Sequence, residues 1–215
     1  MINVNLISKP KWFVEMNPSG KVPTILYNNE VYYESLAVCD LLDEVFETSP
    51  KLNPESAEGK AKVKMALADF DAAIRHYYTI IRSTKPMEEL QEMKEKFQTS
   101  LQPFEAKLND KLYFSGNDTP GMLDYMIWPW FERLAVVDLF HPDLGPLLPQ
   151  LIFPKLVRFF LCNLISPRDL SIIFLQNQWK DAMQENEAVK SYFLEPKYHY
   201  DYSKNLFEGK PKFDL

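Results

Sequence analysis

Asn17, Pro18, Ser19 and Gly20 form a turn signal that runs straight into Val22-Pro23-Thr24-Ile25-Leu26, an apolar stretch with a proline near its start. Proline cannot donate to a ladder, so in a sheet it belongs at edges, first residues and bulges. The bond before it adopts the cis form at modest cost, usually in a tight turn. Such a turn leaves the backbone N–H and C=O of Val22 facing outward. They are then free to pair with an extended peptide as an added strand. Tyr33-Glu34-Ser35 follows at short range, where strand gives way to helix. A hydroxyl and the free N–H groups of a helix start hold a carboxylate there. The two pieces outline a small peptide-binding site with a carboxylate pocket.

The elements that must position these groups follow from periodicity. Ile2, Val4 and Leu6 alternate with Asn3 and Asn5, which predicts a half-buried strand over 2–7. Strands follow at 22–27 and 31–33, and Asn28-Asn29 between them suits a tight hairpin because Asn tolerates positive φ. From Ser35 onward the pattern is helical, with Leu41, Leu42, Val45 and Phe46 on one face. The breakers between Ser49 and Glu55 form a linker. Beyond it, Val63, Leu67, Phe70, Ile74, Tyr77 and Ile81 recur at helical spacing. So do Leu90, Met93, Phe97, Leu101, Phe104 and Leu108, with Pro86 placed where a helix starts. A third, more apolar helix is predicted over 122–137 and a further one over 179–193. The fold class is therefore α/β plus all-α, with a small domain over 1–50 and a helical domain over 56–215.

Composition excludes several functions. The 215 residues carry 24 Lys and Arg against 30 Asp and Glu, a net charge of −6. Nucleic-acid surfaces need clustered cations, so no nucleic-acid partner is expected, and an anionic membrane surface is disfavoured. Two cysteines, Cys39 and Cys162, are too few for a disulfide scaffold. Met-Ile-Asn-Val-Asn shows no secretory pattern, and a cytoplasmic location is expected. His76, His141 and His199 lack metal-ligand spacing, so no metal is expected. Gly20-Lys21 is followed by Val22 and is no phosphate loop, and no Gly-x-Ser-x-Gly occurs.

Four stretches resemble the omega class of the soluble glutathione transferases. They are Lys9-Pro10-Lys11-Trp12-Phe13, Asn17 to Pro23, Tyr33-Glu34-Ser35, and Asp124-Tyr125-Met126-Ile127-Trp128-Pro129-Trp130-Phe131-Glu132-Arg133. The last is the most specific, with two tryptophans flanking a proline beside Phe-Glu-Arg. The resemblance implies a thioredoxin-like domain, truncated at its start, followed by an all-helical one, and homodimerisation through both. Glutathione is the implied cosubstrate, and the implied second substrate is a small electrophile or disulfide. Lys9 would contact the tripeptide, Val22 would pair with its backbone, and Pro23 would be cis. Glu34 would hold the ammonium of its γ-glutamyl end and Ser35 the carboxylate. Arg133, Trp130, His199 and Tyr202, with Tyr198, would line the second-substrate pocket, and Asp124 would be a buried helix-capping aspartate. With Gly121 three residues earlier, its reciprocal cap would be incomplete.

The chain departs from the family pattern twice. The family's first strand and helix, with the nucleophilic cysteine at that helix's start, have no counterpart before residue 2. The implied thioltransferase and dehydroascorbate-reductase-like chemistry is then impaired, and residues 1–50 are expected to be poorly stable alone. Both Cys39 and Cys162 read as inert. An apolar insert over 159–178, broken by Pro167, Arg168 and Asp169, separates two stretches that the family joins closely. The alternative function is a non-catalytic interaction module of the same two-part fold, as in elongation-factor gamma subunits and chloride intracellular channel proteins.

Overall fold

The computed structural model describes residues 2–47, 50–108, 111–116, 118–148 and 179–210. The insert expected over 159–178, and Cys162 within it, lie outside the described residues. The chain divides into two compact units, Met1–Asn53 with Lys204–Leu215, and Pro54–Ser203.

The first unit contains α1 (Lys11–Met16), β1 (Thr24–Tyr27), β2 (Glu30–Tyr33) and α2 (Ser35–Val45). The strands pair antiparallel, with Thr24 opposite Tyr33 and Tyr27 opposite Glu30. Asn28 and Asn29 close the hairpin at φ of 51° and 64°, the mirror-image turn whose twist matches the strands. Both asparagines thus do what their type predicts. Replacing Asn29 with valine is expected to cost about 1–2 kcal/mol, because a β-branched side chain clashes at positive φ. Urea unfolding of the variant measures this.

The strand expected over 2–7 does not form. Asn5 explains part of the difference: its Oδ1 accepts from the N–H of Ile7 at 3.0 Å and of Ser8 at 2.9 Å. Such a local turn competes with a ladder for the same donors. Among the described residues the sheet is two-stranded, so alternation finds no neighbour to pair with. Helix α1 was not foreseen either. It is one and a half turns long and buries only Phe13.

The second unit is helical: α3 (Ala57–Ile81), α4 (Met87–Leu108), α5 (Met122–Glu132), α6 (Ala135–Phe140), α7 (Trp179–Glu185), α8 (Glu187–Lys190) and α9 (Pro196–Phe207), the last running on into residues that group with the first unit. Phe70, Tyr77 and Ile81 of α3 and Leu90, Phe97, Leu101, Phe104 and Leu108 of α4 are buried, as their spacing predicts. Phe70 meets Phe104 edge-on at 5.3 Å and stacks on Phe131 at 6.1 Å, and Phe131 meets Trp179 edge-on at 4.7 Å. Aromatic pairs in these geometries add about 0.5–1.5 kcal/mol each beyond the area they bury. Among the described residues no helix is long and apolar enough to cross a membrane.

Two helices expected as single rods are split. The one over 122–137 breaks at Arg133 and Leu134. There Leu134, Val136 and Val137 donate to carbonyls three residues back rather than four, which tightens and redirects the chain. The one over 179–193 breaks at Asn186, whose Oδ1 accepts from the N–H groups of Ala188 (3.1 Å) and Val189 (3.2 Å) and so opens a new helix. Helix α9 was missed because it is polar on average and buries no residue fully.

Candidate functional site

In the first unit the turn before β1 is organised by Asn17, which is fully buried. Its Nδ2 donates to the Lys21 carbonyl at 3.1 Å and the Thr24 hydroxyl at 2.9 Å. Its Oδ1 accepts from the Ser19 N–H at 3.1 Å and the Ser19 hydroxyl at 2.7 Å. Gly20 turns at φ 60° beneath the Lys9 side chain: an added Cβ there would stand 3.0 Å from the Lys9 Nζ. The turn thus delivers Val22 half-exposed, and the Val22–Pro23 peptide is cis. Among the described residues the N–H and C=O of Val22 have no hydrogen-bond partner.

The hairpin brings β2 back beside this turn and ends on Glu34, a non-glycine residue at φ 69°. Backbone in such a sparsely populated region costs about 1–3 kcal/mol and concentrates at functional sites. Helix α2 then starts at Ser35 without any side-chain cap, so its first N–H groups are unspent. The Ser35 hydroxyl also lacks a partner among the described residues. Glu34 does not: Lys21 Nζ sits 3.1 Å from its Oε1, both side chains largely exposed. An ammonium therefore already stands on Glu34, while Ser35 and the helix start present donors suited to a carboxylate. Lys9, Val22, Pro23, Glu34 and Ser35 all lie in one unit, exposed at the surface. Cys39 lies further along α2, half-buried, and burial first, then the nearby Asp40 charge, pushes its thiol up from the usual range.

The second unit carries a cleft of about 400 Å³ against α5 and α9. Arg133 and His199 line it. Trp130 and Tyr202 do not. Trp130 packs edge-on against Tyr77 at 6.0 Å and Tyr78 at 5.5 Å, and borders an interior gap of about 10 Å³. The Arg133 guanidinium lies over its ring at 5.5 Å. Buried Tyr77 donates its hydroxyl to the Arg133 carbonyl at 3.2 Å. Burial pushes its phenol up, and the Arg133 charge pulls weakly the other way.

Sequence reasoning overlooked Glu132 in the same cleft. Its Oε1 is 2.9 Å from His199 Nε2, and its Oε2 accepts from the Trp128 indole N–H at 3.2 Å. The Glu132 and His199 side chains are only 10% and 13% exposed. A carboxylate accepts and does not donate, so His199 Nε2 is the donor at this contact. No local motif marks this pair, whose members are 67 residues apart.

Asp124, in the first turn of α5, is fully buried. It accepts from the N–H groups of Phe114 (2.9 Å), Ser115 (3.2 Å) and Gly121 (2.9 Å) and from the Trp179 indole (2.6 Å). Glycine has no side chain to return the last cap, so one half of the reciprocal box is missing. Burial pushes the Asp124 carboxyl up, and the four donors pull against that shift.

Residues 2–45 match the family model described as the N-terminal domain of glutathione S-transferase, and residues 87–164 match that of its C-terminal domain. Rat (Rattus norvegicus) glutathione S-transferase omega-1 is 30% identical over 99% of this chain and 77% of its own. The chain belongs to the glutathione S-transferase family. Pyrimidodiazepine synthase of Drosophila melanogaster is 28% identical over 100% of this chain and 78% of its own. Among solved structures, the rice transferase GST1 in complex with glutathione superposes with a TM-score of 0.73, over 95% of this chain and 84% of that one, at 18% identity. The fold is thus a thioredoxin-type N-terminal part followed by a helical C-terminal part, as in glutathione S-transferases.

Proposed function

We propose that this chain binds glutathione on its N-terminal unit and acts within the omega type of its family. The observation that carries the reading is the Val22 to Ser35 surface: an unpaired backbone pair at Val22, an acid already holding an ammonium at Glu34, and free donors at Ser35 and the start of α2. A γ-linked tripeptide offers the matching groups. Its cysteinyl backbone would pair with Val22, its γ-glutamyl ammonium would replace that of Lys21 on Glu34, and its carboxylate would take Ser35. Pro23 would shape the turn, and Lys9 would contact the far end. A small electrophile or a disulfide would occupy the C-terminal cleft beside Arg133 and His199. Trp130 supports Arg133 from behind. The same reading includes a homodimer.

Omega-type chemistry calls for a thiolate that forms a mixed disulfide with glutathione and reduces substrates such as dehydroascorbate. Within the described residues Cys39 is a poor candidate, because burial favours its thiol over the thiolate. That observation favours a second reading, in which these 215 residues bind glutathione without turning it over. Titration calorimetry with glutathione, paired with a thioltransferase assay, tests both. Ser35→Ala is expected to weaken binding ten-fold or more, since a hydrogen bond to a charged group contributes about 1.5–3 kcal/mol. Unchanged affinity in that variant defeats the site. Rapid turnover by the 215-residue chain defeats the non-catalytic reading.

A further inference from the structure

The C-terminal cleft is mostly aromatic and aliphatic, with walls from Tyr125, Trp128, Tyr192, Val189 and Leu194. Its volume falls in the range of small-molecule sites, which combine apolar walls with a few placed polar groups. Here those groups are Glu132, His199 and Arg133. They are not equally available.

Both oxygens of Glu132 already accept, one from His199 and one from Trp128. The carboxylate is nearly buried. It braces α9 against α5 and offers a ligand cation little. Arg133 is the opposite case. Its carbonyl accepts from Tyr77, but its guanidinium has no carboxylate partner among the described residues and meets only the face of Trp130. A guanidinium carries five donors in a flat fork that matches a carboxylate, and stacking on an aromatic ring holds that fork in place at little entropic cost. His199 adds a second polar point, because its Nδ1 has no partner among the described residues while Nε2 is engaged.

We infer that this cleft selects a flat, apolar second substrate that bears a single carboxylate, with Arg133 as the specificity-determining residue. The inference rests on the reading of this cleft as the second-substrate pocket. The apolar body lies against Trp128 and Tyr192, and the carboxylate meets Arg133. A neutral analogue of the same shape keeps the apolar contacts and leaves the guanidinium unmatched.

Matched probes test this on the 215-residue chain without glutathione: 2-naphthoate and 2-naphthamide, followed by titration calorimetry. The acid is expected to bind at least ten-fold tighter than the amide. Arg133→Gln should bring the two to equal affinity, with a thermal midpoint close to wild type. If that variant does not fold, the salt dependence of the wild type takes its place: added salt should weaken naphthoate binding and leave naphthamide unchanged. Equal affinities in the wild type, a preference that survives in Arg133→Gln, or no binding of either probe overturns the inference. A parallel glutathione titration separates the two readings. Loss of glutathione binding with the naphthoate preference intact removes the glutathione site alone, and the reverse removes the cleft assignment alone.

Discussion

Asn17→Ala is expected to weaken glutathione binding by about 30-fold, although no atom of Asn17 is proposed to touch the ligand. Alanine keeps the two backbone bonds of residue 17, its N–H to the Phe13 carbonyl at 2.8 Å and its carbonyl from the Gly20 N–H at 2.9 Å. It deletes all four side-chain bonds. The Ser19 N–H and hydroxyl lose their acceptor, and Lys21 keeps only the Thr24 hydroxyl, at 2.8 Å, on its carbonyl. Asn17 is fully buried, so water does not restore these bonds without the turn opening. Unmade bonds of this kind cost about 1–3 kcal/mol each, and partial relaxation leaves a net loss of about 2 kcal/mol in the turn. A binding-competent conformer that becomes minor by that amount lowers apparent affinity by about 30-fold. The same loosening should raise amide exchange across residues 18–24 and leave the helices of the second unit unchanged. An affinity within two-fold of wild type, with exchange unaltered, would remove Asn17 from the account of the site.

Asn17 also marks the limit of what the sequence discloses. Its type and its place before Pro18 announce a turn, because Asn-Pro and Ser-Gly act through the local backbone. Its burial, and its reach across to Thr24, depend on how α1 and β1 pack. Asn28-Asn29 is legible for the same local reason, and so are the stripes of α3 and α4, where one period along one helix decides which residues go inside. Readings failed where a second segment decides. Ile2, Val4 and Leu6 satisfy strand alternation, yet a strand is a pairing, and the Asn5 side-chain oxygen takes up the N–H groups of Ile7 and Ser8 locally. Asn186 looked like one residue of a long helix, but its side chain outcompetes the backbone and starts a new one. Trp130 belonged on paper with Arg133 and His199. The α5 rotation instead turns it toward Tyr77 and Tyr78, and Glu132 takes its place in the cleft. Glu132 finds its partner on a helix that buries no residue fully, so neither member of the pair announces the other.

Asp124→Asn should be the most damaging single substitution in the helical unit. The carboxylate spends four acceptor positions on four N–H groups, from the 113–116 turn, the start of α5 and the Trp179 indole at the start of α7. One side chain thus joins three segments distant in sequence at the edge of the Phe131–Trp179 contact. Asparagine keeps the shape and replaces one oxygen with an NH₂ group. Whichever way the amide turns, its NH₂ faces two of the four donors, so two buried N–H groups lose their acceptor. Each such loss costs about 1–3 kcal/mol. The opposing effect is relief of desolvation, because burial disfavours the charged form of Asp124. Two orphaned donors outweigh that relief, and a net loss of about 3 kcal/mol follows. At about 2–4 °C per kcal/mol for a chain of this size, the thermal midpoint should fall by about 10 °C. Trp179→Phe removes one donor and leaves three, so its indole bond should contribute a smaller loss, about 1–2 kcal/mol. In the double variant the total loss should be less than the sum of the two, because with the indole gone the amide can turn its NH₂ toward the position of Oδ1 and orphan only the Phe114 N–H. Additive losses, or a midpoint for Asp124→Asn within 2 °C of wild type, would show that the carboxylate does not join these segments.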